Sequence, residues 1–338
     1  MCKIFIFRIS IFFAIVFVSQ GLFAQEYQKV EAESGEGIYS LLRRFNLDPK
    51  DYYNTFLEIN KNRLNPDLQL LKGKTYFLPI VVDTTALETE RQIGVFPIFG
   101  KKYEKVEFKD DKLQGAVFYI ISGHGGPDPG AMGKKNGHTL CEDEYAYDVC
   151  LRLARNLIEH SATVYIITQD PDDGIRDEEY LKCDKDEMCL GNKKIPLNAV
   201  ERLKQKVETV NQLFEKHLGQ YQRKLEIHVD SRYSNQKVDI YFYYHPGSNK
   251  GKQLGETLLK TIHDKYKQHQ PNRGYKGTVT ERKLYTLKNT KPVSTYIELG
   301  NINHPRDLER LIIVDNRQAI ANWLTLGLIK DFENSKRR

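Results

Sequence analysis

The stretch that most constrains this chain is Phe118–Gly137, reading FYIISGHGGPDPGAMGKKNG, with Glu142 five residues beyond it. Phe118–Ser122 is apolar, β-branched and aromatic, the pattern of a buried strand. The run Gly123-His124-Gly125-Gly126-Pro127-Asp128-Pro129-Gly130 cannot continue that strand. It forces a loop whose backbone can approach a ligand closely. His124 is therefore displayed at a strand end, where a lone histidine is ordinarily a hydrogen-bonding loop residue. Three other residues change that reading. Glu142 opens the helical run EDEYAYDVCLRLARNLIEH, His228 ends the apolar strand LEIHVDS, and Glu298 ends a third strand, STYIELGN. Two imidazoles and a carboxylate suit a catalytic zinc site with one open position, and the second carboxylate suits its base.

GHGGPDPGAMG, Glu142, IHVDS and YIELGNINH, in that order, resemble the zinc-dependent N-acetylmuramoyl-L-alanine amidases that cut bacterial peptidoglycan. The resemblance spans roughly residues 116–328. It implies Zn2+ as cofactor, His124, Glu142 and His228 as metal ligands, and Glu298 as the catalytic general base. Glu144 is the rival of Glu142, since both lie at the helix start; the hydrophobic pattern after the family's glutamate fits Glu142 better. Asp230 stands where many relatives have Asn, which bears on substrate contacts rather than on the metal. His138, His245 and His304 could line the cleft or serve as polar loop residues. No G-x-S-x-G elbow is present and the cysteines lack a nearby histidine motif, so a side-chain nucleophile has little support.

Around this site the pattern alternates: strands at 117–122, 163–168, 225–228, 240–244 and 296–299, helices at 142–160, 197–218, 252–267 and 307–330. That alternation predicts an α/β domain over residues 115–332, with a mixed, mostly parallel sheet flanked by helices on both faces. Ligands of such sheets gather at the carboxyl ends of strands, where His124, His228 and Glu298 fall.

Upstream, residues 29–81 read as strand, helix, helix, strand. This order, with Gly35-Glu36-Gly37-Ile38, Asn60 and the Leu71-Lys72-Gly73…Leu78-Pro79 ending, resembles a LysM domain, which implies glycan binding. Glu36 departs from the commoner Asp, and a small α+β spacer is the alternative. Residues 82–114 are charged and read as a linker whose later part, Val95–Phe108, adds an edge strand or hairpin to the next domain.

Residues 1–24 read as a secretory signal peptide, with Lys3 and Arg8 ahead of IFFAIVFVSQGLF and Ala24 at the cut. An uncleaved anchor is the alternative. Cleavage leaves 49 basic against 45 acidic residues, a net charge of +4. This fits an anionic envelope partner in the periplasm or cell envelope and is too weak to argue nucleic-acid binding. No other stretch is long and apolar enough to span a bilayer. The resemblance implies peptidoglycan as partner and leaves a protein regulator open. Export permits disulfides; Cys183 with Cys189 is the easier pair, because Cys141 and Cys150 sit about 13 Å apart on one helix. The charged stretch 171–196 holds both Cys183 and Cys189. It reads as a disulfide-closed surface loop, with a lid or a regulator's docking surface as the sharper alternatives.

Overall fold

The computed structural model describes residues 27–45, 47–79, 92–272 and 274–337. The predicted signal peptide, 1–24, and the first part of the predicted linker lie outside these residues. The chain forms two compact units, Met1–Thr89 and Glu90–Arg338.

In the first unit β1 (Tyr27–Glu31) leads to α1 (Ile38–Arg44), α2 (Pro49–Asn60) and β2 (Thr75–Pro79). Asp48 accepts from Lys50 N at 2.9 Å and Pro49 occupies the first helical position, which together start α2. β1 and β2 pair antiparallel, Tyr27 opposite Pro79. Ile38, Leu41 and Leu42 pack with Phe56, Tyr76 and Leu78. The buried Asn60 side chain donates to Phe56 O and Phe77 O and accepts from Phe77 N, so it clamps α2 to β2.

The second unit opens with a hairpin of β3 (Ile93–Val95) and β4 (Lys105–Glu107). Then come β5 (Ala116–Ser122), β6 (Met132–Lys135), β7 (His138–Cys141) and α3 (Glu142–Glu159). After them follow β8 (Thr163–Ile166), β9 (Thr168–Gln169), β10 (Met188–Cys189), β11 (Lys193–Lys194) and α4 (Ala199–Lys216). The remainder is β12 (Tyr221–Asp230), β13 (Tyr241–Tyr244), α5 (Asn249–His269), β14 (Thr278–Glu281), α6 (Tyr285–Asn289), β15 (Val293–Asn301), α7 (Pro305–Ile312) and α8 (Val314–Lys336).

Six strands form the central sheet in the order β14-β13-β15-β12-β5-β8. All neighbours are parallel except β13 with β15, so the sheet is mixed and mostly parallel. Alternation along β5 sends Phe118 and Ile120 into a core with α3, α5 and α8, and Val117, Tyr119 and Ile121 to the other face, against α4. The β3–β4 hairpin packs on α3 through Phe99 and Val106, against Tyr147 and Leu151.

β12 and the last predicted helix differ from expectation, and the predicted strand 163–168 divides into β8 and β9, which belong to different sheets. β12 runs ten residues, well beyond the predicted 225–228, because its charged positions are buried in pairs. Lys224 Nζ lies 2.8 Å from Glu226 Oε2, and Arg223 Nε 2.7 Å from Asp331 Oδ2. The predicted helix 307–330 is two helices, broken where Ile313 takes extended backbone angles.

Cys183 bonds Cys141, not Cys189. Cys189 is fixed in β10 between β9 and β11, its side chain buried among Val117, Tyr119 and Ile195. Cys141, the last residue of β7, is where the charged loop passes. That loop is therefore stapled to the start of α3 and is not closed on itself. Cys150 and Cys189 are free and buried.

Candidate metal centre

The carboxyl ends of β5, β12 and β15 lie side by side, with Ile227 opposite Ser122 and His228 opposite Glu298. Gly123, just past β5, hydrogen-bonds Ile227 O at 2.7 Å. A Cβ there would lie within 2.6 Å of Cε1, Nδ1 and Cγ of His228, so only glycine lets this backbone cross the imidazole. His124 follows in the left-handed region at φ 59°, a conformation that costs energy and must be held by its surroundings. Lys206, buried on α4, supplies that hold by donating to Ser122 O at 3.0 Å and His124 O at 2.7 Å. Asp128 Oδ2 lies 3.0 Å from His124 Nδ1 and accepts from Arg202 at 2.6 Å. This contact turns His124 Nε2 toward Glu142 Oε2, 3.3 Å away.

Glu142 is the first residue of α3 and 4% exposed. Its Oε2 accepts from Ala131 N at 2.7 Å, and its Oε1 from Val229 N at 2.9 Å and from His228 Nδ1 at 2.8 Å. A Cβ on Gly130 would come within 2.8 Å of Glu142 Oε2 and of Cδ2 and Cγ of His124. His228 stacks on Tyr296, ring centroids 4.2 Å apart, and Glu226 Oε1 lies 3.5 Å from its Nε2.

The donor atoms of His124, Glu142 and His228 lie within 4.8 Å of one another. Burial opposes a charged His228, yet Glu142 and Glu226 outweigh it and raise its pKa to about 9. Glu142 is lowered despite its burial, chiefly by its bond to His228. The His228 Nδ1–Glu142 Oε1 hydrogen bond holds a proton between two of the three side chains, and a cation seated among the donors would replace it. Two imidazoles, one carboxylate and the clearance left by two glycines fit zinc, which takes N and O donors at about 2.0–2.2 Å.

Glu298 is 6% exposed and its Oε2 has no hydrogen-bond partner among the described residues. Burial, partly offset by His228, pushes its pKa to about 8. Glu144 points elsewhere: its Oε2 pairs with Arg176 at 2.9 Å and its Oε1 accepts from Asp184 N at 2.9 Å. His138 stacks on Tyr180, His304 caps α7, and neither they nor His245 join the cluster. Asp230 is paired with Arg232.

Sequence reasoning missed Asp128, Lys206, Arg202, Glu226 and Tyr296. Glu226 had a readable signal, since it shares a face with His228 two residues along the same strand. Lys206 had none: on an amphipathic helix rich in Lys and Arg, only the fold shows which lysine is buried.

A family model described as N-acetylmuramoyl-L-alanine amidase matches residues 118–330. The germination-specific N-acetylmuramoyl-L-alanine amidase of Bacillus subtilis (strain 168) is 23% identical over 221 residues, covering 65% of this chain and 81% of the relative. Among solved structures, an N-acetylmuramoyl-L-alanine amidase from Clostridium difficile 630 is 18% identical with a TM-score of 0.47, covering 64% of this chain and 97% of its own. The amidase AmiC2 of Nostoc punctiforme is 20% identical with a TM-score of 0.47, covering 65% and 99%. The CwlD amidase from Clostridioides difficile, solved with the GerS lipoprotein, is 20% identical with a TM-score of 0.47, covering 64% and 98%. With a family model matched across most of its length, the chain belongs to the N-acetylmuramoyl-L-alanine amidase family and is an enzyme of that type, a peptidoglycan amidase.

Proposed function

We propose that this amidase is zinc-dependent and exported, and that it hydrolyses the bond between the lactyl group of N-acetylmuramic acid and the L-alanine of the stem peptide. His124, Glu142 and His228 would hold the zinc, which supplies Lewis acidity and a water of lowered pKa. The observation that carries the reading is the convergence of these three donors beside Glu298, whose buried Oε2 has no hydrogen-bond partner among the described residues. Asp128 and Lys206 hold His124 in its strained pose, and Tyr296 fixes the plane of the His228 ring. Glu298 Oε2 takes a proton from the attacking water and returns it to the departing amide nitrogen. Its raised pKa suits both steps, because a carboxyl poised near neutral pH can accept and donate.

Export is supported by the apolar N-terminal segment, which lies outside the described residues, and by the Cys141–Cys183 disulfide, which an oxidising compartment preserves. The βααβ order of the first unit supports a LysM-like glycan-binding module that tethers the enzyme to the wall. Wall remodelling or daughter-cell separation is the role this implies.

Mass spectrometry of digested peptidoglycan is the test. Release of intact stem peptides beginning with L-alanine, abolished by chelation and restored by zinc, is the expected result. Cleavage within the stem peptide would make the protein a peptidase, and activity that survives chelation would remove the zinc.

A further inference from the structure

Between β9 and β10 the sequence carries nine acidic against three basic residues over 170–187, in a chain whose overall charge is positive. Charges of one sign this dense repel, and solvated tails normally spread them apart. Here the fold gathers them. Carboxylate oxygens of Asp170, Asp172 and Asp186 lie within 4.8 Å of one another, as do those of Asp170, Asp173 and Asp184, and those of Asp184, Asp186 and Glu187. Arg176 is committed to Glu144 and Asp173. Asp170, Asp172, Asp184 and Asp186 make no ion pair with Lys, Arg or His among the described residues.

A second observation points to a ligand. Asp170 is 6% exposed, and its Oδ1 accepts from Asp172 N at 3.0 Å and Asp173 N at 2.6 Å. Its Oδ2 is buried with no partner among the described residues, and so is Asp184 Oδ1. An unsatisfied buried carboxylate oxygen beside other carboxylates is costly unless a positive group completes it. Backbone N–H groups already orient the Asp170 carboxyl, so the free oxygen is fixed in place.

We propose that the segment between β9 and β10 binds a calcium-class divalent cation, held by Asp170, Asp172, Asp184 and Asp186. All four donors are hard oxygens with no imidazole or thiolate among them, which selects Ca2+ over zinc. Calcium–oxygen bonds of about 2.3–2.6 Å allow two oxygens on one ion to be up to about 5 Å apart, the spacing seen. Asp172 and Asp186 are exposed, giving the ion a path from solvent. Burial, together with neighbouring carboxyls, raises Asp170 to about 7, as expected of a site that holds protons when it lacks its ion.

The site would act on the amidase centre through bonds already present. Asp184 N donates to Glu144, two residues past Glu142. Glu187 Oε2 accepts from Gly126 N at 2.6 Å, in the loop that carries His124. Cys183 is bonded to Cys141, which precedes Glu142. Ordering the acidic segment therefore braces both the His124 loop and the first turn of α3.

The test uses the full mature chain, stripped on a chelating resin, reloaded with one equivalent of zinc, and titrated with CaCl2 by calorimetry and thermal unfolding. One Ca2+ per chain is expected, at about 10⁻³ M or tighter as in extracellular modules, with a rise in Tm. Asp170→Asn/Asp184→Asn, which keeps Oδ1 of Asp170 as an acceptor, should lose the calcium heat and the Tm rise while keeping its zinc. Without calcium it should melt at or above the parent's temperature, because repulsion has been relieved. If that variant does not fold, Asp172→Asn/Asp186→Asn, at exposed positions, should show the same loss of calcium response. No heat and no Tm shift up to about 10 mM CaCl2 would overturn the proposal. So would an equal response to MgCl2, an undiminished calcium response in the folded variant, or a variant that melts below the calcium-free parent. None of these readouts depends on zinc catalysis, so failure here leaves the amidase reading standing.

Discussion

Gly123→Ala is the sharpest perturbation of the candidate centre, because it adds one methyl group and nothing else. The added Cβ would lie within 2.6 Å of three atoms of the His228 ring. Carbon atoms rest at about 3.5–4.0 Å, so the ring or the backbone must retreat by about 1 Å. The backbone is held by Gly123 N donating to Ile227 O at 2.7 Å. The ring is trapped between the new methyl and Tyr296, with Nδ1 bonded to Glu142. Forcing a methyl group into such packing costs about 1–3 kcal/mol, or about 2–12 °C in Tm for a domain of this size. The same shift moves a donor atom by far more than the roughly 0.2 Å tolerance of a zinc bond. Zinc affinity should fall by at least about 10–100-fold, the loss seen when ligand orientation alone is disturbed. Gly137→Ala is the control. Its φ is 81° and no atom lies within 4 Å of its Cβ, so it carries backbone strain of about 1 kcal/mol without touching the site. Zinc content after dialysis, with Tm, reads both variants. Parental zinc affinity in Gly123→Ala would refute the ligand role of His228, and equal zinc loss in Gly137→Ala would show the effect to be general destabilisation.

Two further outcomes follow from the same geometry. Glu298→Gln should keep fold and zinc while turnover drops by about 10²–10⁴, the usual worth of a positioned acid–base; zinc loss alongside activity would make Glu298 a ligand or a fold element instead. The metal-free protein should lose stability as pH rises from about 5 to 9, measured by Tm. His228 is raised to about 9, Glu298 to about 8, and Asp170 and Glu187 to about 7. The folded state therefore binds more protons than the unfolded chain, and stability must fall with pH. A Tm that stays flat or rises over this range would contradict those shifts.

What could be read from sequence divides along a physical line. The strand ends that present His124, His228 and Glu298 were legible because a buried parallel strand is a continuous apolar run and its loop is marked by Gly and Pro. β12 was read too short because the Arg223–Asp331 and Lys224–Glu226 pairs look polar in sequence while being buried in the fold. The β6–β7 hairpin had a signal that went unused: Asn136-Gly137, both at positive φ, is the dipeptide such two-residue turns demand. The disulfide partner of Cys183 had no sequence signal, since proximity along the chain favoured Cys189 while the fold brought Cys141.

The first turn of α3 shows why one short acidic run serves two ends. Glu142, Asp143 and Glu144 are consecutive and all buried, which a helix N-terminus tolerates because its free N–H groups and dipole favour negative charge. The loop carbonyls of Ala131 and Pro129 take up Glu142 N and Asp143 N. At 3.6 residues per turn, successive side chains leave the axis about 100° apart, so they cannot share one site. Glu142 is sent to the two histidines. Glu144, two positions on, is sent to Arg176 and Asp184 at the root of the acidic segment. Between them Asp143 is pushed up to about 9 by burial and by Glu187 and Glu144, so it stays neutral. The Cys141–Cys183 bond ties this turn to that segment, and its loop of about 40 residues is worth roughly 3–4 kcal/mol. Any motion of the acidic segment must therefore pull on the residue that precedes Glu142. The geometry would thus couple the proposed cation binding in that segment to the alignment of Glu142 with the two histidines through a single helical turn.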